Sequence, residues 1–340
     1  MARVRRARGE FWVVWATALA LLLPLPAYAD HDGEPHGPGG GNGGGKGKGD
    51  PPTAIALDSH GRTYVGFASG GDLVRVTRKG KALKPFEVPI DGPVTGIAIG
   101  KYDRVWVDNG RTAVLLRRDG SQVGTLTHGP ERCAKKAGKP DRYGGIDANG
   151  RTVFIANRCE RTVEIFRRTG KRLAVLKPRG PGYPRGVAFL PGRGKRHARL
   201  YVTMPARSAV LVYDVEKVRN GEKPVRTVKV PRPAGGRRPE PSGVVVDRFA
   251  QVIVSDRANH GLYFLDGSDS FKHYRTLGHP PRRGRGWGML DGPVGLAQHR
   301  QDRTGLSGTI VVADGRNRRV QRWNTYGWTY WVSGVRAPKG

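Results

Sequence analysis

Residues 241–266 read PSGVVVDRFAQVIVSDRANHGLYFLD and contain three short apolar runs separated by polar turns. A Pro-x-Gly step opens the first run, Ser255-Asp256 ends the second, and Asn259-His260 precedes the third. Short runs rich in Val, Ile and aromatic residues, bounded by turn residues, predict β-strands joined by tight turns. The stretch therefore predicts three consecutive antiparallel strands of one small sheet.

The same phrase recurs through residues 52–334. A small residue follows each opening turn at Ala54, Gly96, Gly145, Gly186, Gly243 and Gly295, at intervals of 42, 49, 41, 57 and 52 residues. The second strand of each unit ends at Phe67, Asn109, Asn157, Met204, Asp256 and Asp314. Six positions later an apolar residue of a third strand follows in every unit: Leu73, Leu115, Val163, Val210, Leu262 and Val320. Repeats of about 40–50 residues are typical of propeller blades.

A fourth apolar segment completes most units after a glycine-containing turn. Examples are KALKPFEV at residues 81–88 and KRLAVLKP at residues 171–178. Six units of four short strands predict an all-β fold, a six-bladed β-propeller with four antiparallel strands per blade, over residues 52–340.

Blades 5 and 6 resemble the NHL-repeat family. That family has a Pro-x-Gly-apolar strand, a strand ending in Ala/Ser-Asp, then Asn-His/Arg and another apolar strand. Residues 241–266 match this pattern, as do PVGLAQHR (293–300) and GTIVVADGRNRRVQRWNTYG (308–327). The resemblance extends over residues 52–334 and is loosest in blades 1 and 4, where Phe67 and Met204 replace the polar residue. It implies a six-bladed propeller of a secreted bacterial protein, in a class that includes binding scaffolds, amidating lyases and lactonases.

Two roles are open for the polar residues that end the second strands. Such enzymes hold a metal at the channel mouth, but the starts of the innermost strands here carry no carboxylate or imidazole: Thr53, Thr95, Gly144, Arg185, Ser242 and Val294. A ring of oxygen ligands for Ca²⁺ is the alternative, formed by Asn109, Asn157, Asp256 and Asp314 with Glu240. It would make the protein a calcium- or zinc-dependent hydrolase or lyase of the lactonase or amidating-lyase kind.

The other role is local, because Asp and Asn side chains commonly accept hydrogen bonds from the backbone of their own turn. A residue type that recurs at one position of every repeat favours this local role. We therefore expect no catalytic residue and no metal cofactor, and we interpret the chain as a non-catalytic binding scaffold.

Positive charge is the strongest compositional feature. The chain contains 60 Lys and Arg against 28 Asp and Glu, a formal net charge of +32. Such a field attracts polyanions, and arginine suits phosphate and carboxylate groups. Long loops between blades, on the face shared with the turns between second and third strands, carry the clusters PRPAGGRRP (231–239) and HPPRRGRGWG (279–288). The predicted ligand-binding residues are Arg111, Arg158, Arg185, Arg237, Arg238, Arg257, Arg282, Arg283, Arg285, Trp287, Arg316 and Arg318. We expect a monomer that binds an anionic polymer or an acidic protein, with peripheral contact to the cell envelope and no specific nucleic acid.

The first 51 residues predict export. Four arginines precede an apolar run, and Ala27-Tyr28-Ala29 fits a signal-peptidase site, so residues 1–29 are interpreted as a signal peptide cleaved near Ala29. Residues 30–51 are glycine-rich and predict a disordered tether. Cys133 and Cys159 are the only cysteines, and an even pair in a secreted protein predicts one disulfide.

Overall fold

A computed structural model describes residues 50–130, 144–193, 197–218, 223–247, 249–266, 270–298, 308–324 and 329–334. The predicted signal peptide, nearly all of the predicted tether, and Cys133 lie outside these residues. In the part of the chain that is described, no helix has the length and apolar character needed to cross a membrane.

The described chain forms six consecutive antiparallel sheets, the blades of a propeller. Blade 1 contains β1 (Pro52–Leu57), β2 (Thr63–Phe67) and β3 (Val74–Val76). Blade 2 contains β4 (Gly96–Ile99), β5 (Val105–Asp108), β6 (Thr112–Leu116) and β7 (Gln122–Thr127). Blade 3 contains β8 (Ile146–Asn149), β9 (Thr152–Asn157), β10 (Thr162–Arg167) and β11 (Arg172–Leu176). Blade 4 contains β12 (Val187–Leu190), β13 (Arg199–Met204), β14 (Ala209–Asp214) and β15 (Arg226–Lys229). Blade 5 contains β16 (Pro241–Val246), β17 (Val252–Asp256), β18 (Gly261–Leu265) and β19 (His273–Gly278). Blade 6 contains β20 (Pro293–Gln298), β21 (Thr309–Asp314), β22 (Arg319–Asn324) and β23 (Thr329–Gly334).

Blade 1 departs from the predicted four strands. Its fourth segment, residues 81–88, makes only isolated bridges, Leu73 with Phe86 and Val76 with Ala82. Pro85 has no backbone N–H to donate, and proline within a strand interrupts the hydrogen-bond ladder. Phe86 is nevertheless buried against Tyr64, with ring centroids 5.6 Å apart, so the segment still covers the blade.

The core is divided among the interfaces between neighbouring blades. Six clusters of buried apolar residues are present, one for each pair of adjacent blades. Between blades 3 and 4, the rings of Phe154 and Phe189 stack with centroids 4.7 Å apart. The cluster between blades 6 and 1 includes Ile55, Val65 and Val311. Apolar burial of this kind is the main stabilising contribution to folding. In the described part of the chain, it joins blade 6 to blade 1 without exchange of strands between them.

The small residue of each repeat lies where two innermost strands approach most closely. A Cβ atom on Gly186 would lie 2.4 Å from the carbonyl oxygen of Ser242 in the next blade, and one on Gly96 would lie 2.8 Å from Ile146 Cγ2. Gly145, Gly243 and Gly295 face the next blade in the same way, the last against Ile55 of blade 1. Glycine is required at these positions by backbone packing around the axis.

Antiparallel pairing gives the propeller two faces. The upper face contains the starts of the first strands, the turns between second and third strands, and the connections between blades. The lower face contains the turns between first and second strands and between third and fourth strands. The residues predicted to bind ligands lie on or near the upper face.

Candidate functional site

The channel along the propeller axis is narrow at its upper end. A cavity of about 70 Å³ is lined there by the starts of the six innermost strands, including Thr53, Thr95, Arg185 and Ser242. The hydroxyls of Thr53 and Ser242 donate to the carbonyl of Val94, at 2.6 Å, and to that of Val294, at 3.0 Å. Arg185 is buried, so its guanidinium lies at the channel and apart from the exposed arginines.

Six aliphatic side chains, one from each blade, separate the upper and lower parts of the channel. We call them the aliphatic girdle: Ile55, Ile97, Ile146, Val187, Val244 and Leu296. Below the girdle the channel widens into a cavity of about 370 Å³ that opens on the lower face. Among the described residues, those at the middle of the channel therefore offer no side-chain oxygen or nitrogen for a metal ion.

Asp256 and Asp314, two members of the alternative calcium ring, are occupied by their own turns. Asp256 Oδ1 accepts hydrogen bonds from the backbone N–H groups of Glu240 at 2.9 Å and Ala258 at 3.0 Å, and Oδ2 accepts one from Asn259 at 2.6 Å. Asp314 accepts equivalent bonds from the backbone of Asp291 at 2.7 Å and from Asn317 at 2.8 Å. These bonds are those expected of turn residues.

Asn109 and Asn157 are occupied in the same manner. Asn109 Oδ1 accepts from the backbone N–H of Thr112 at 2.8 Å, and its amide donates to the carbonyl of Asp91 at 2.9 Å. Asn157 donates to Glu164 at 2.8 Å. Glu240 is exposed. Among the described residues, none of the five predicted ligands lines the channel. Where three His, Cys, Asp or Glu side chains of the described residues lie close enough to share a metal ion, Asp256, Asp314 and Glu240 are not among them. The structure does not bring these residues together as a ring.

Burial changes the protonation of the turn carboxylates. Desolvation raises the pKa of Asp256 above its ordinary value, although hydrogen bonds from Asn259 and the backbone oppose the change. Burial likewise raises the pKa of Asp314, against the effects of Asn317 and Arg319. Both carboxylates are fully buried. The hydrogen bonds that they accept partly offset the free-energy cost of desolvating their charge.

A buried ion pair lies nearby on the upper face. His128 Nε2 is 2.7 Å from Asp108 Oδ1, and the second carboxylate oxygen accepts a 2.8 Å hydrogen bond from the hydroxyl of Thr95. Burial alone lowers the pKa of His128, but the Asp108 carboxylate and its hydrogen bond outweigh burial, so the net pKa lies above the ordinary value. Thr95, Asp108 and His128 do not form a nucleophilic triad, because the imidazole does not contact the hydroxyl.

The strongest cluster of predicted binding residues is formed by the connection between blades 5 and 6 and the β21–β22 turn. Asn317 Nδ2 donates to the carbonyl of Gly284 at 2.7 Å, and Arg319 Nη2 donates to the carbonyls of Gly286 at 3.0 Å and Met289 at 2.8 Å. Arg319 Nη1 also donates to the carbonyl of Arg285. These bonds fix the connection on the turn.

We call the exposed side chains of this unit the basic corner: Arg282, Arg283, Arg285, Trp287, Arg316 and Arg318. Trp287 is 55% exposed, more than most large apolar residues of the protein. Two acids contact this unit: Asp291 lies 3.5 Å from Arg316 and 3.3 Å from His260, and Asp314 lies 2.8 Å from Arg319. The corner therefore combines five arginines and one exposed indole on a connection held by side chain–backbone hydrogen bonds.

The other predicted arginines are dispersed. Arg237 and Arg238 are exposed on the connection between blades 4 and 5, where Arg238 Nε donates to the hydroxyl of Ser208 at 3.2 Å. Arg111, Arg158 and Arg257 are half-buried, and the guanidinium of Arg158 lies 3.3 Å from the ring centroid of Tyr183. Arg185 is buried at the channel. The arginines predicted from the sequence to bind one ligand therefore differ widely in solvent exposure.

Two features escaped sequence reasoning. The His128–Asp108 pair joins β5 to the connection after β7, and neither residue repeats in the other blades. The lower cavity is lined by the ends of the innermost strands and the turns that follow them, whereas only the starts of those strands were considered for chemistry.

No family model and no curated protein matches the sequence. The fold is similar to that of solved six-bladed propellers. Virginiamycin B lyase from Staphylococcus aureus aligns with a TM-score of 0.54 and 14% identity, over 85% of this chain and 86% of that one. A chain of a nidogen/laminin complex aligns with a TM-score of 0.57 and 17% identity, over 80% of this chain and 93% of that one. These similarities establish the propeller fold, which a lyase and a binding protein share.

Proposed function

We propose that this protein is a secreted, non-catalytic, NHL-like propeller that binds an anionic polymer of the cell exterior through the basic corner. The observation that carries the proposal is the attachment of residues 284–289 to the β21–β22 turn by Asn317 and Arg319. A preformed arginine cluster loses less conformational freedom on binding than a flexible one. Arginine forks pair with phosphate, sulfate or carboxylate groups, and the exposed Trp287 ring can pack on the polymer between them.

Secretion rests on the predicted signal peptide. Export of the chain is consistent with a polymer partner outside the cytoplasm, and Edman sequencing of the secreted protein is expected to begin at Asp30. A start at Met1 would exclude cleavage near Ala29.

The metal-dependent alternative is not favoured. Asp256 and Asp314 are both fully buried and engaged by four or more hydrogen bonds or ion contacts from neighbouring groups. A metal would have to displace these contacts.

Retention on immobilised heparin tests the proposal. Wild type is compared with the triple variant Arg282→Gln, Arg283→Gln, Arg285→Gln. The control triple variant, Arg117→Gln, Arg118→Gln, Arg168→Gln, removes the same charge from exposed lower-face positions. Each lost contact is expected to reduce the slope of log affinity against log salt by about one, so the corner variant should lose two to three units, while the control stays near wild type.

An equal loss of salt dependence in both triple variants would show that net charge alone causes retention, and it would refute polymer binding at the basic corner. Absence of retention of wild type at low salt would refute anionic-polymer binding. Thermal unfolding of each variant confirms that folding is retained.

A further inference from the structure

The lower cavity is a second site, at the opposite end of the channel from the basic corner. Its volume is about 370 Å³ and it opens on the lower face. Small-molecule sites are commonly concave, largely apolar cavities of about 300–1,000 Å³ with a few convergent polar groups. A volume near twelve times that of a liquid water molecule accommodates a compact organic molecule of roughly ten non-hydrogen atoms.

Aliphatic side chains form just over half of the cavity wall. The girdle forms its floor, and Leu57, Ile99, Val246 and Pro191 continue the apolar surface toward the mouth. The aliphatic part of the wall can bury a hydrocarbon group, and the polar part can pair with a polar group of the same ligand.

The polar groups at the cavity include several hydrogen-bond acceptors. Gln298 is 9% exposed, lines the cavity, and its Oε1 atom is enclosed with no hydrogen-bond partner among the described residues. A buried acceptor without a partner is costly. A ligand with an N–H group directed at Gln298 Oε1 would remove this cost.

Two carboxylates lie at the same cavity. Asp103 accepts hydrogen bonds from the hydroxyl of Ser59 at 2.5 Å and from the backbone N–H of Ser59 at 3.0 Å. These bonds and His60 outweigh burial and lower the pKa of Asp103, so it is ionised at neutral pH. Asp147 accepts from the backbone N–H of Phe189 at 2.6 Å. Both acids line the cavity although the protein as a whole carries an excess of positive charge.

One cation lines the mouth as well. The ammonium group of Lys101 lies 4.6 Å from the ring centroid of Tyr102, which is 71% exposed. A cation–π contact with an exposed ring holds this ammonium group toward solvent. Among the described lining residues, the other polar side chains are Ser59, Asp103, Asp147, Asn149 and Gln298.

We propose that the lower cavity binds a small amphipathic amine, with its aliphatic body on the girdle and its ammonium group directed to Gln298 Oε1, while Asp103 and Asp147 on blades 2 and 3 contribute negative charge to the cavity. The site is independent of polymer binding at the basic corner. It is also distinct from the channel's upper end, which is about 70 Å³ and lined by Thr, Ser and Gly residues together with Arg185.

Isothermal titration of the purified protein with n-alkylamines of four to eight carbons tests the proposal. Each additional methylene contributes about 0.8 kcal/mol on burial, so affinity is expected to rise about fourfold per carbon until the cavity is filled. Hexylamine should bind more tightly than hexanol, and hexanol more tightly than hexanoate. A carboxylate that binds as well as the amine, or no saturable binding of any amine at millimolar concentration, would overturn the proposal.

Three variants locate the binding. Val244→Phe places a ring in the girdle and should reduce hexylamine affinity tenfold or more. Gln298→Leu keeps the side-chain volume and should lower the ratio of hexylamine affinity to hexanol affinity about tenfold. Gln122→Leu, an equivalent change at an exposed position of β7, should have no effect.

Unchanged hexylamine binding in a folded Gln298→Leu variant would overturn the assigned polar contact. This result does not depend on whether Val244→Phe folds. Loss of heparin retention in the basic-corner variant with unchanged hexylamine binding would show that the two sites are separate.

Discussion

The side-chain amide of Asn259 donates a 2.6 Å hydrogen bond to the carboxylate of Asp256, and together they hold the connection between blades 4 and 5. Asn259 also exchanges hydrogen bonds with the backbone of Arg237, at 2.7 and 3.1 Å, while Asp256 accepts from the N–H of Glu240. The same contact recurs between Asn317 and Asp314 at 2.8 Å, and it holds the next connection. The Asp and Asn residues of blades 5 and 6 therefore attach the connections that precede these blades.

Substitution of Asp256 tests this structural role. Asp256→Ala removes the acceptor for three backbone N–H groups and for Asn259 in a fully buried turn. A loss of about 2–4 kcal/mol in the free energy of unfolding is expected in urea titration. Glu240→Ala, at an exposed position, should change it by less than about 0.5 kcal/mol. Stoichiometric calcium in wild type that is lost in the Asp256→Ala and Asp314→Ala variants would instead support the metal ring.

Gly186 tests the close approach of the innermost strands. An added Cβ would meet the Ser242 carbonyl at 2.4 Å, so Gly186→Ala should destabilise the fold by about 1–3 kcal/mol. Gly124 on β7 is the matched control, since a Cβ there meets nothing within 4 Å. Gly124→Ala should leave the melting temperature unchanged or raise it slightly. Equal melting temperatures for the two variants would contradict the packing explanation.

The His128–Asp108 pair predicts a pH dependence of stability. Because the pKa of His128 is raised in the folded state above 6.5, its contribution is fully present below about pH 6.5 and is lost as pH rises through the folded pKa. The difference in melting temperature between wild type and His128→Gln should therefore be largest at pH 5–6 and decrease above neutral pH. A difference that is constant from pH 5 to 9 would show that His128 does not gain a proton on folding.

The disulfide remains a prediction, because Cys133 lies outside the described residues. Tryptic mass mapping without reductant should find a peptide that joins Cys133 to Cys159. The chain-entropy model gives about 3.5 kcal/mol for a loop of this length, and the Cys133→Ser, Cys159→Ser double variant should lose a comparable amount. The same stability with and without reductant in wild type would argue against the bond.

The blade count and strand order could be predicted from the repeat. The apolar residue six positions after each second strand is buried in all six blades, at 2% exposure or less. This burial could be predicted because buried positions recur as apolar residues at a fixed spacing in the sequence. The fourth segment of blade 1, residues 81–88, was predicted, but its incomplete pairing was not, because an apolar pattern indicates burial whereas Pro85 affects hydrogen bonding.

The binding residues were harder to predict. Arg185 and Arg282 both follow prolines in basic connections, yet one is buried at the channel and the other is exposed at the corner. Their difference depends on where each connection lies relative to the axis. Sequence gives the charge of a side chain but not its direction.

By itself, the sequence determined the all-β class, six repeats and the turn chemistry of Asp256 and Asn259, because these depend on local periodicity and on interactions between near neighbours. Only the tertiary structure decided how the ring closes, which arginines share a corner, and that the aliphatic girdle encloses a cavity with Gln298 at its wall. These properties arise from contacts between residues as far apart as Ile55 and Leu296, whose proximity is set by the packing of whole blades.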